Sequence, residues 1–195
     1  MLYWIFRNLF LYFFKIVNRI EVHGGENVPA AGPVILASNH ISNWDPMVVG
    51  ASVQRKVNFI AKEELFKIPL IGLLLHAWGA MPVKRGRGDR EAISKSLEIL
   101  RSDQVLGIFI EGRRNKSNPE QMDKPQPGVA MLAVKTGAPV VPMLVRNTRR
   151  VPCFAKVKVF IGKPLSFTDS PERDRKEAYQ EISQKIVAAI ETMRD

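Results

Sequence analysis

The feature that most constrains the fold of this chain is an alternation of short apolar runs with longer amphipathic segments after residue 20. Short apolar runs that end at polar or turn residues are typical of buried strands, whereas apolar residues three and four apart indicate helices. Strands are predicted over 34–38, 57–61, 105–110, 140–145 and 157–161, and helices over 46–52, from Asp89 onward, over 129–135 and over 171–193, with two short helical pieces over 65–78. This order predicts an α/β fold in which helices flank a mostly parallel central sheet.

Length and composition indicate one folded domain that favours an anionic partner. The 195 residues suffice for a hydrophobic core without covalent staples. The single cysteine, Cys153, excludes an internal disulfide framework and a metal site made of cysteines alone. A net charge of +10 favours nucleic acid, an acidic protein, a phosphorylated ligand or an anionic membrane as the partner.

Residues 1–20 differ from the rest because they hold seven of the chain's 16 aromatic side chains. Charges at Arg7 and Lys15 argue against a helix that spans a bilayer. Five polar residues fall within about one third of a helix circumference: Arg7, Asn8, Lys15, Asn18 and Arg19. A polar stripe on an aromatic-rich helix is typical of the membrane interface, so we predict a membrane-associating helix over 1–20 and one domain over 21–195. The alternative is a terminal helix packed on the domain's own core.

The first of three polar clusters, residues 38–45, follows a predicted strand and contains His40 and Asp45. On one continuous helix, residues five apart diverge by about 140°, so a turn is needed to bring these side chains together. A carboxylate bonded to one imidazole nitrogen would fix the tautomer and leave the other nitrogen free to act as a base. The alternative is a pair that only caps a helix.

The other two clusters are basic. Residues 79–88 combine glycines with basic side chains ahead of a predicted helix, which suits phosphate binding through backbone N–H groups and arginine. Residues 109–116 end a predicted strand, where Gly112 allows a sharp turn and Glu111 is suited to align an arginine or accept a hydrogen bond from a substrate. Each cluster alone also fits a solvated basic loop.

Together and in this order, the clusters resemble the sequence blocks of the glycerolipid acyltransferase family, typified by 1-acylglycerol-3-phosphate acyltransferase. Those blocks are N-H-x-x-x-x-D, a glycine with an apolar stretch and a terminal arginine, F-P-E-G-T-R, and an apolar stretch with a central proline. The matching residues are Asn39, His40 and Asp45; 79–85; Phe109, Glu111, Gly112 and Arg114; and 140–143. The third block departs from the family pattern at Ile110 and Arg113. The resemblance extends over residues 20–165.

The resemblance implies transfer of a fatty acyl chain from an acyl thioester, on coenzyme A or acyl carrier protein, to the 2-hydroxyl of 1-acylglycerol-3-phosphate, giving phosphatidic acid. In this family His40 would be the general base and Asp45 would orient it. No acyl-enzyme, metal or other cofactor is expected.

The resemblance also assigns the substrate-binding residues. Arg85 and Arg114, together with Lys84, would hold the acceptor phosphate, while Glu111 and Gly112 would shape the pocket. The departure at Arg113 leaves open which of the two adjacent arginines meets the phosphate.

The same resemblance suggests where the protein works. The N-terminal helix would dock the protein on the cytoplasmic face of the cell membrane, as a peripheral or monotopic protein on an anionic surface. Residues 65–78 are a second candidate for membrane contact or for an acyl groove, with ordinary core as the alternative.

Two alternatives remain open at this stage. The acceptor could be another lysophospholipid or lysolipid, because such enzymes share these motifs. A non-catalytic membrane lipid-binding protein would have no use for His40 and Asp45. A nucleic-acid partner is not expected, because the aromatic residues are concentrated in 1–20 instead of alternating with basic ones.

Overall fold

The computed structural model describes residues 1–83, 88–168 and 175–194. The helices within these residues are α1 (Leu2–Val17), α2 (Asp45–Ser52), α3 (Glu63–Phe66), α4 (Pro69–Ala77), α5 (Gly88–Arg101), α6 (Gly128–Thr136) and α7 (Arg175–Glu191). The strands are β1 (Glu21–His23), β2 (Val34–Ser38), β3 (Val57–Lys62), β4 (Ala80–Val83), β5 (Val105–Phe109), β6 (Val140–Arg146) and β7 (Lys158–Ile161). Short 3₁₀ turns lie at Gly25–Asn27 and Thr148–Arg150.

The described strands form one sheet in the order β1-β7-β6-β2-β5-β3-β4. β2 pairs in parallel with β5 and β6, β3 pairs in parallel with β5 and β4, and β1 pairs in parallel with β7. The pair β6–β7 is antiparallel. The predicted α/β fold with a mostly parallel sheet and flanking helices is therefore confirmed. We call the edge at which β2, β5 and β6 end the carboxyl edge, and β7 begins at that edge.

Helices cover both faces of the sheet, so that the central strand is buried on both sides. All five residues of β2 are buried, as expected for a parallel strand between two helical layers. Leu36 packs in a cluster with Phe14 of α1 and Val48 of α2. Its neighbour Ile35 points to the other face, in a cluster with α6 and α7.

Helix α1 has an inner face that is part of the core and an outer face that is exposed. Phe14 is fully buried, and the Tyr3 hydroxyl accepts a hydrogen bond of 3.0 Å from the Val57 N–H. Burial raises the pKa of the Tyr3 phenol above its ordinary value. The outer face of α1 is apolar and consists of Leu2, Ile5, Leu9, Tyr12 and Ile16. The inner face packs on the domain's own core, as the second alternative drawn from the sequence describes. No helix within the described residues is long and apolar enough to cross a bilayer.

The polar stripe of α1 is only partly turned to solvent. Arg7 donates from Nε to the Val53 carbonyl at 3.0 Å, and Asn18 is fully buried, where it donates to two carbonyls of the 153–155 segment. Asn8 and Lys15 are exposed. Two of the five polar residues therefore bind the protein's own backbone.

The predicted elements agree with the observed ones except at the sheet edges and at some helix starts. β1 and β4 were not predicted. The break in 65–78 falls at Pro69 as expected, between α3 and α4. α5 begins at Gly88, one residue ahead of the predicted start at Asp89, and the first residues of the predicted closing helix lie outside the described part of the chain.

Candidate active site

His40 and Asp45 meet in the turn between β2 and α2, at the carboxyl edge of the sheet. β2 ends at Ser38, and α2 begins at Asp45 with Pro46 in its first turn. The distance from His40 Nδ1 to Asp45 Oδ2 is 2.8 Å. The turn that the spacing required is present, and it places the two side chains in hydrogen-bond contact.

The carboxylate of Asp45 is fully buried and accepts hydrogen bonds at both oxygens. Oδ2 accepts from the backbone N–H groups of Ile41 and Ser42, each at 2.7 Å, in addition to His40. Oδ1 accepts from the Thr148 hydroxyl at 2.5 Å. These donors compensate the charge that burial would otherwise make costly, and none of them is an N–H group of α2.

The His40 imidazole is held on its other side by an aromatic ring. Its plane stacks on Phe109 with the ring centroids 4.0 Å apart, and 19% of the side chain is exposed. The Asp45 carboxylate accepts a hydrogen bond from Nδ1, so Nδ1 carries the proton of the neutral imidazole. The lone pair of the neutral ring is therefore on Nε2. Within the described residues Nε2 makes no hydrogen bond. The geometry is that of a base with one oriented and one available nitrogen.

Glu111 ties the loop after β5 to the His40 turn. Its Oε1 accepts the His40 backbone N–H and its Oε2 accepts the Asp123 N–H, both at 2.8 Å. The His40 carbonyl in turn accepts the Asn115 N–H at 2.7 Å. The buried Glu111 therefore engages backbone amides at both oxygens, where the sequence suggested an arginine or a substrate group.

Gly112 supplies the sharp turn expected of it. Its φ of +68° lies in the left-handed region, where a Cβ is strained. A Cβ here would also lie 2.8 Å from Gln126 Cγ. This glycine therefore shapes the loop through its backbone.

A basic pocket opens beside the His40 turn. Its volume is about 400 Å³, and its lining residues are Ile41, Ser42, Asn43, Trp44, Arg114, Lys116, Arg149 and Val151. Arg149 is fixed by hydrogen bonds from Nε to the Ile41 carbonyl, at 3.2 Å, and from Nη2 to the Asn115 carbonyl. Arg114 donates to Asn43 Oδ1. Three cations in one pocket next to a general-base candidate suit an anionic substrate group.

The predicted phosphate-binding residues have different positions. Arg114 lines the pocket, whereas Arg113 is 76% exposed and pairs with Asp123 at 3.4 Å. Lys84 and Arg85 lie outside the described residues. The structure therefore places one of the adjacent arginines in the pocket and the other on the surface.

Sequence reasoning missed two residues of this site. Thr148 and Arg149 were not singled out, because neither belongs to a recognisable block, whereas Lys116 lies in the third polar cluster. A signal was nevertheless present: residues 146–150 follow the strand predicted over 140–145, and a strand parallel to β2 would end beside His40.

Comparison with known proteins identifies the family. The sequence model of the acyltransferase family matches residues 19–146, so the chain belongs to the acyltransferase family. A 1-acyl-sn-glycerol-3-phosphate acyltransferase of Borreliella burgdorferi is 32% identical over 67% of this chain and 52% of its own. A Bacillus subtilis protein of the same name is 28% identical over 90% of both chains.

A solved structure has the same fold. The crystal structure of the 1-acyl-sn-glycerophosphate (LPA) acyltransferase PlsC from Thermotoga maritima superposes with a TM-score of 0.66 at 28% identity, covering 92% of this chain and 78% of that one. The chain spans about half the length of several relatives, including the Borreliella protein and, at 44%, a chloroplast enzyme of Arabidopsis thaliana.

Proposed function

We propose that this protein transfers a fatty acyl chain from an acyl thioester to the 2-hydroxyl of 1-acylglycerol-3-phosphate and so forms phosphatidic acid. The observation behind the proposal is the His40–Asp45 pair, with Nε2 available, next to a pocket that contains three cations. The names of the relatives support the choice of acceptor. The donor is acyl-CoA or an acyl-carrier protein, as co-substrate.

The proposed reaction is direct transfer without an acyl-enzyme. His40 Nε2 accepts the proton of the 2-hydroxyl while the oxygen of that hydroxyl attacks the thioester carbonyl. Asp45 stabilises the imidazolium that forms. The tetrahedral intermediate then expels the thiolate, which takes the proton back from His40. The new ester bond forms as the thioester bond breaks, so the imidazole returns to its starting state.

The pocket cations are proposed to bind the acceptor phosphate. Arg114, Lys116 and Arg149 line the pocket beside residues 41–44, which directly follow His40. A phosphate bound there lies close to the 2-hydroxyl of the same small glycerol backbone. Lys84 and Arg85 stay in the proposal as further phosphate ligands, because the resemblance assigns them that role.

The membrane is the proposed source of the acceptor. A second set of exposed apolar residues lies in α3, in α4 and in the link between them: Leu65, Ile68, Leu70, Ile71 and Leu73. α1 contacts α4, so the helices that carry most of the two sets are neighbours. An exposed apolar surface of this extent on a cationic protein suits the cytoplasmic face of an anionic membrane.

An acyl-transfer assay on the purified protein tests the proposal. Lysophosphatidate, lysophosphatidylglycerol and an ornithine lysolipid are each combined with acyl-CoA and with acyl-acyl carrier protein. We expect the highest kcat/KM with lysophosphatidate. Preference for another lysolipid would overturn the acceptor assignment. If the protein bound lipid but turned over none of the acceptor and donor pairs, the assignment as an enzyme would be overturned.

A further inference from the structure

The loop of residues 151–156, which we call the Phe154 loop, presents an aromatic side chain to solvent at the edge where the site lies. Phe154 is 77% exposed. The loop joins β6, which ends at the carboxyl edge, to β7, which begins there. The loop and the His40 turn therefore lie at the same edge of the sheet.

The Phe154 loop is tied to the end of α1. The buried Asn18 side chain donates to the carbonyls of Cys153 and Ala155 at 2.9 and 3.1 Å, and the Val157 N–H donates to the Asn18 carbonyl at 3.0 Å. Ile16, in the last turn of α1, is 76% exposed. The exposed Phe154 is thus held near the C-terminal end of α1.

The segment of chain that contains the loop is basic. Residues 147–168 contain five basic residues and no acidic one. Arg149 and Arg150 precede the loop and are exposed, and Lys156 ends it. Lys156 pairs with Glu21 at 2.5 Å. An exposed aromatic ring flanked by cations is complementary to an anionic lipid headgroup layer.

We propose that the Phe154 loop is a second contact with an anionic membrane, in which Phe154 enters the headgroup region beside the pocket. Val151 of this loop lines the pocket together with Trp44, whose ring stacks on Phe13 of α1. Two contacts fix an orientation that a single helix leaves free. The pocket therefore faces the bilayer, and this consequence rests on the proposed lipid acceptor.

The exposed Cys153 provides a direct test, because it is the only cysteine in the chain and adjoins Phe154. A polarity-sensitive maleimide at Cys153 is titrated with phosphatidylcholine vesicles and with vesicles that also contain phosphatidylglycerol. We expect a blue shift with the anionic vesicles. The control is the Cys153→Ser, Arg101→Cys protein, because Arg101 ends α5 just before β5 begins, at the opposite edge of the sheet.

A substitution adds a second readout. Phe154→Ser should weaken vesicle binding about tenfold, while Phe154→Trp should keep it. The proposal would be overturned if protein that sediments with the vesicles showed no larger blue shift for the label at Cys153 than for the label on the control variant. The vesicles contain neither lysophosphatidate nor a donor, so this result does not depend on whether the enzyme acylates lysophosphatidate.

A separate observation concerns Thr148, which lies behind the His40–Asp45 pair. Its side chain is fully buried and its hydroxyl donates to Asp45 Oδ1 at 2.5 Å, on the oxygen that does not bind His40. With the N–H groups of Ile41 and Ser42 on Oδ2, this bond fixes the carboxylate against rotation. We infer that Thr148 is a positioning residue for His40, given the proposed base chemistry.

The pH profile of kcat/KM separates this role from a structural one. Thr148→Val replaces the hydroxyl with a methyl group of similar size, so Asp45 Oδ1 loses its hydrogen-bond donor. The carboxylate charge is then stabilised less by its surroundings and interacts more strongly with His40. The imidazolium is then stabilised, and the acid limb should move to higher pH with about a tenfold lower kcat/KM at low pH. Other charged groups of the described chain near His40 are Glu111 and the pocket cations Arg114, Lys116 and Arg149, which stay unchanged.

Conservative variants complete the test. Thr148→Ser should restore the acid limb, and Thr148→Cys, whose thiol is a weaker donor, should shift it partway. The Cys variant also keeps the test decisive if the Val variant does not fold. A kcat/KM that falls by one factor at every pH, or no rescue by Ser, would overturn the inference.

Discussion

The His40 turn buries polar groups, whereas the outer face of α1 exposes apolar ones, so each region departs from the usual placement in its own way. In the turn, Asn39 and Asp45 are buried. On α1, the apolar Leu9 and Ile16 are exposed. Both arrangements cost free energy unless the groups find partners.

The two regions differ in where those partners come from. Asn39 exchanges hydrogen bonds of 3.0 and 2.8 Å with the backbone of Val145, and Asp45 has its four donors. The turn is thus completed by the fold itself. The outer face of α1 has no such compensation within the described chain, and only an apolar partner from outside would supply it.

The first prediction tests whether the turn serves catalysis. His40→Ala should lower kcat/KM by about 10²–10⁴-fold or more, because the general base is lost. The fold should persist, since Asp45 keeps its bonds to Ile41, Ser42 and Thr148. The assay is compared with His23→Ala, which changes an exposed histidine in the edge strand β1. Near-normal turnover by a folded His40→Ala protein would contradict the mechanism.

The second prediction sharpens the contrast between the two faces of α1. Phe14→Ala should lower the free energy of unfolding by about 3–5 kcal/mol, because it leaves a cavity in the core. Ile16→Ser, on the outer face, should change it by less than about 0.5 kcal/mol. Denaturant unfolding measures both values. Equal losses would show that the outer face is also packed, and a small loss for Phe14 would show that α1 is detachable.

The third prediction concerns adjacent arginines in the loop that is bonded to the turn. Arg114→Ala should raise the acceptor KM about 10- to 100-fold and the donor KM far less, because a charge-assisted contact to phosphate is lost. Arg113→Ala is the matched control, since its side chain is exposed and paired with Asp123. Steady-state kinetics with each substrate varied in turn decides the matter. A larger effect from Arg113 would reverse the assignment.

The interior of the sheet could be predicted from the sequence, whereas its edges could not. β2, β5 and β6 are mostly apolar runs of five to seven residues, a length that favours a buried strand over a helix. The edge strands β1 and β4 have three and four residues, and β4 contains Pro82. Such short segments lack a periodic pattern, and in a segment of only four residues a proline lowers the expectation of a strand.

The candidate site was predictable only where its residues are close in sequence. His40 and Asp45 lie five apart, in a block that can be recognised. Thr148 and Arg149 bond to Asp45 and Ile41 from more than 100 residues away, because β6 lies next to β2. Likewise, periodicity alone could not show that Asn18 in the polar stripe faces inward, since its partners are the carbonyls of a distant loop.

The last prediction separates the two forces that would hold the outer face of α1 to a membrane. Lys15 and Ile16 are neighbours in sequence, and both are exposed. The two variants are Lys15→Gln and Ile16→Ser. Lys15→Gln should weaken binding to anionic vesicles by about fivefold, since a basic residue at such a surface contributes roughly 1 kcal/mol. That loss should disappear at high salt, because salt screens the attraction between Lys15 and the anionic surface in the unsubstituted protein as well.

Ile16→Ser should weaken binding at low and high salt alike, because apolar burial is not screened. Vesicle sedimentation across a salt series measures both variants, with neutral vesicles as the reference on which Lys15→Gln should have little effect. If both losses vanished at high salt, attraction between charges would account for the docking by itself. The exposed apolar residues of α1 would then need a partner other than the bilayer.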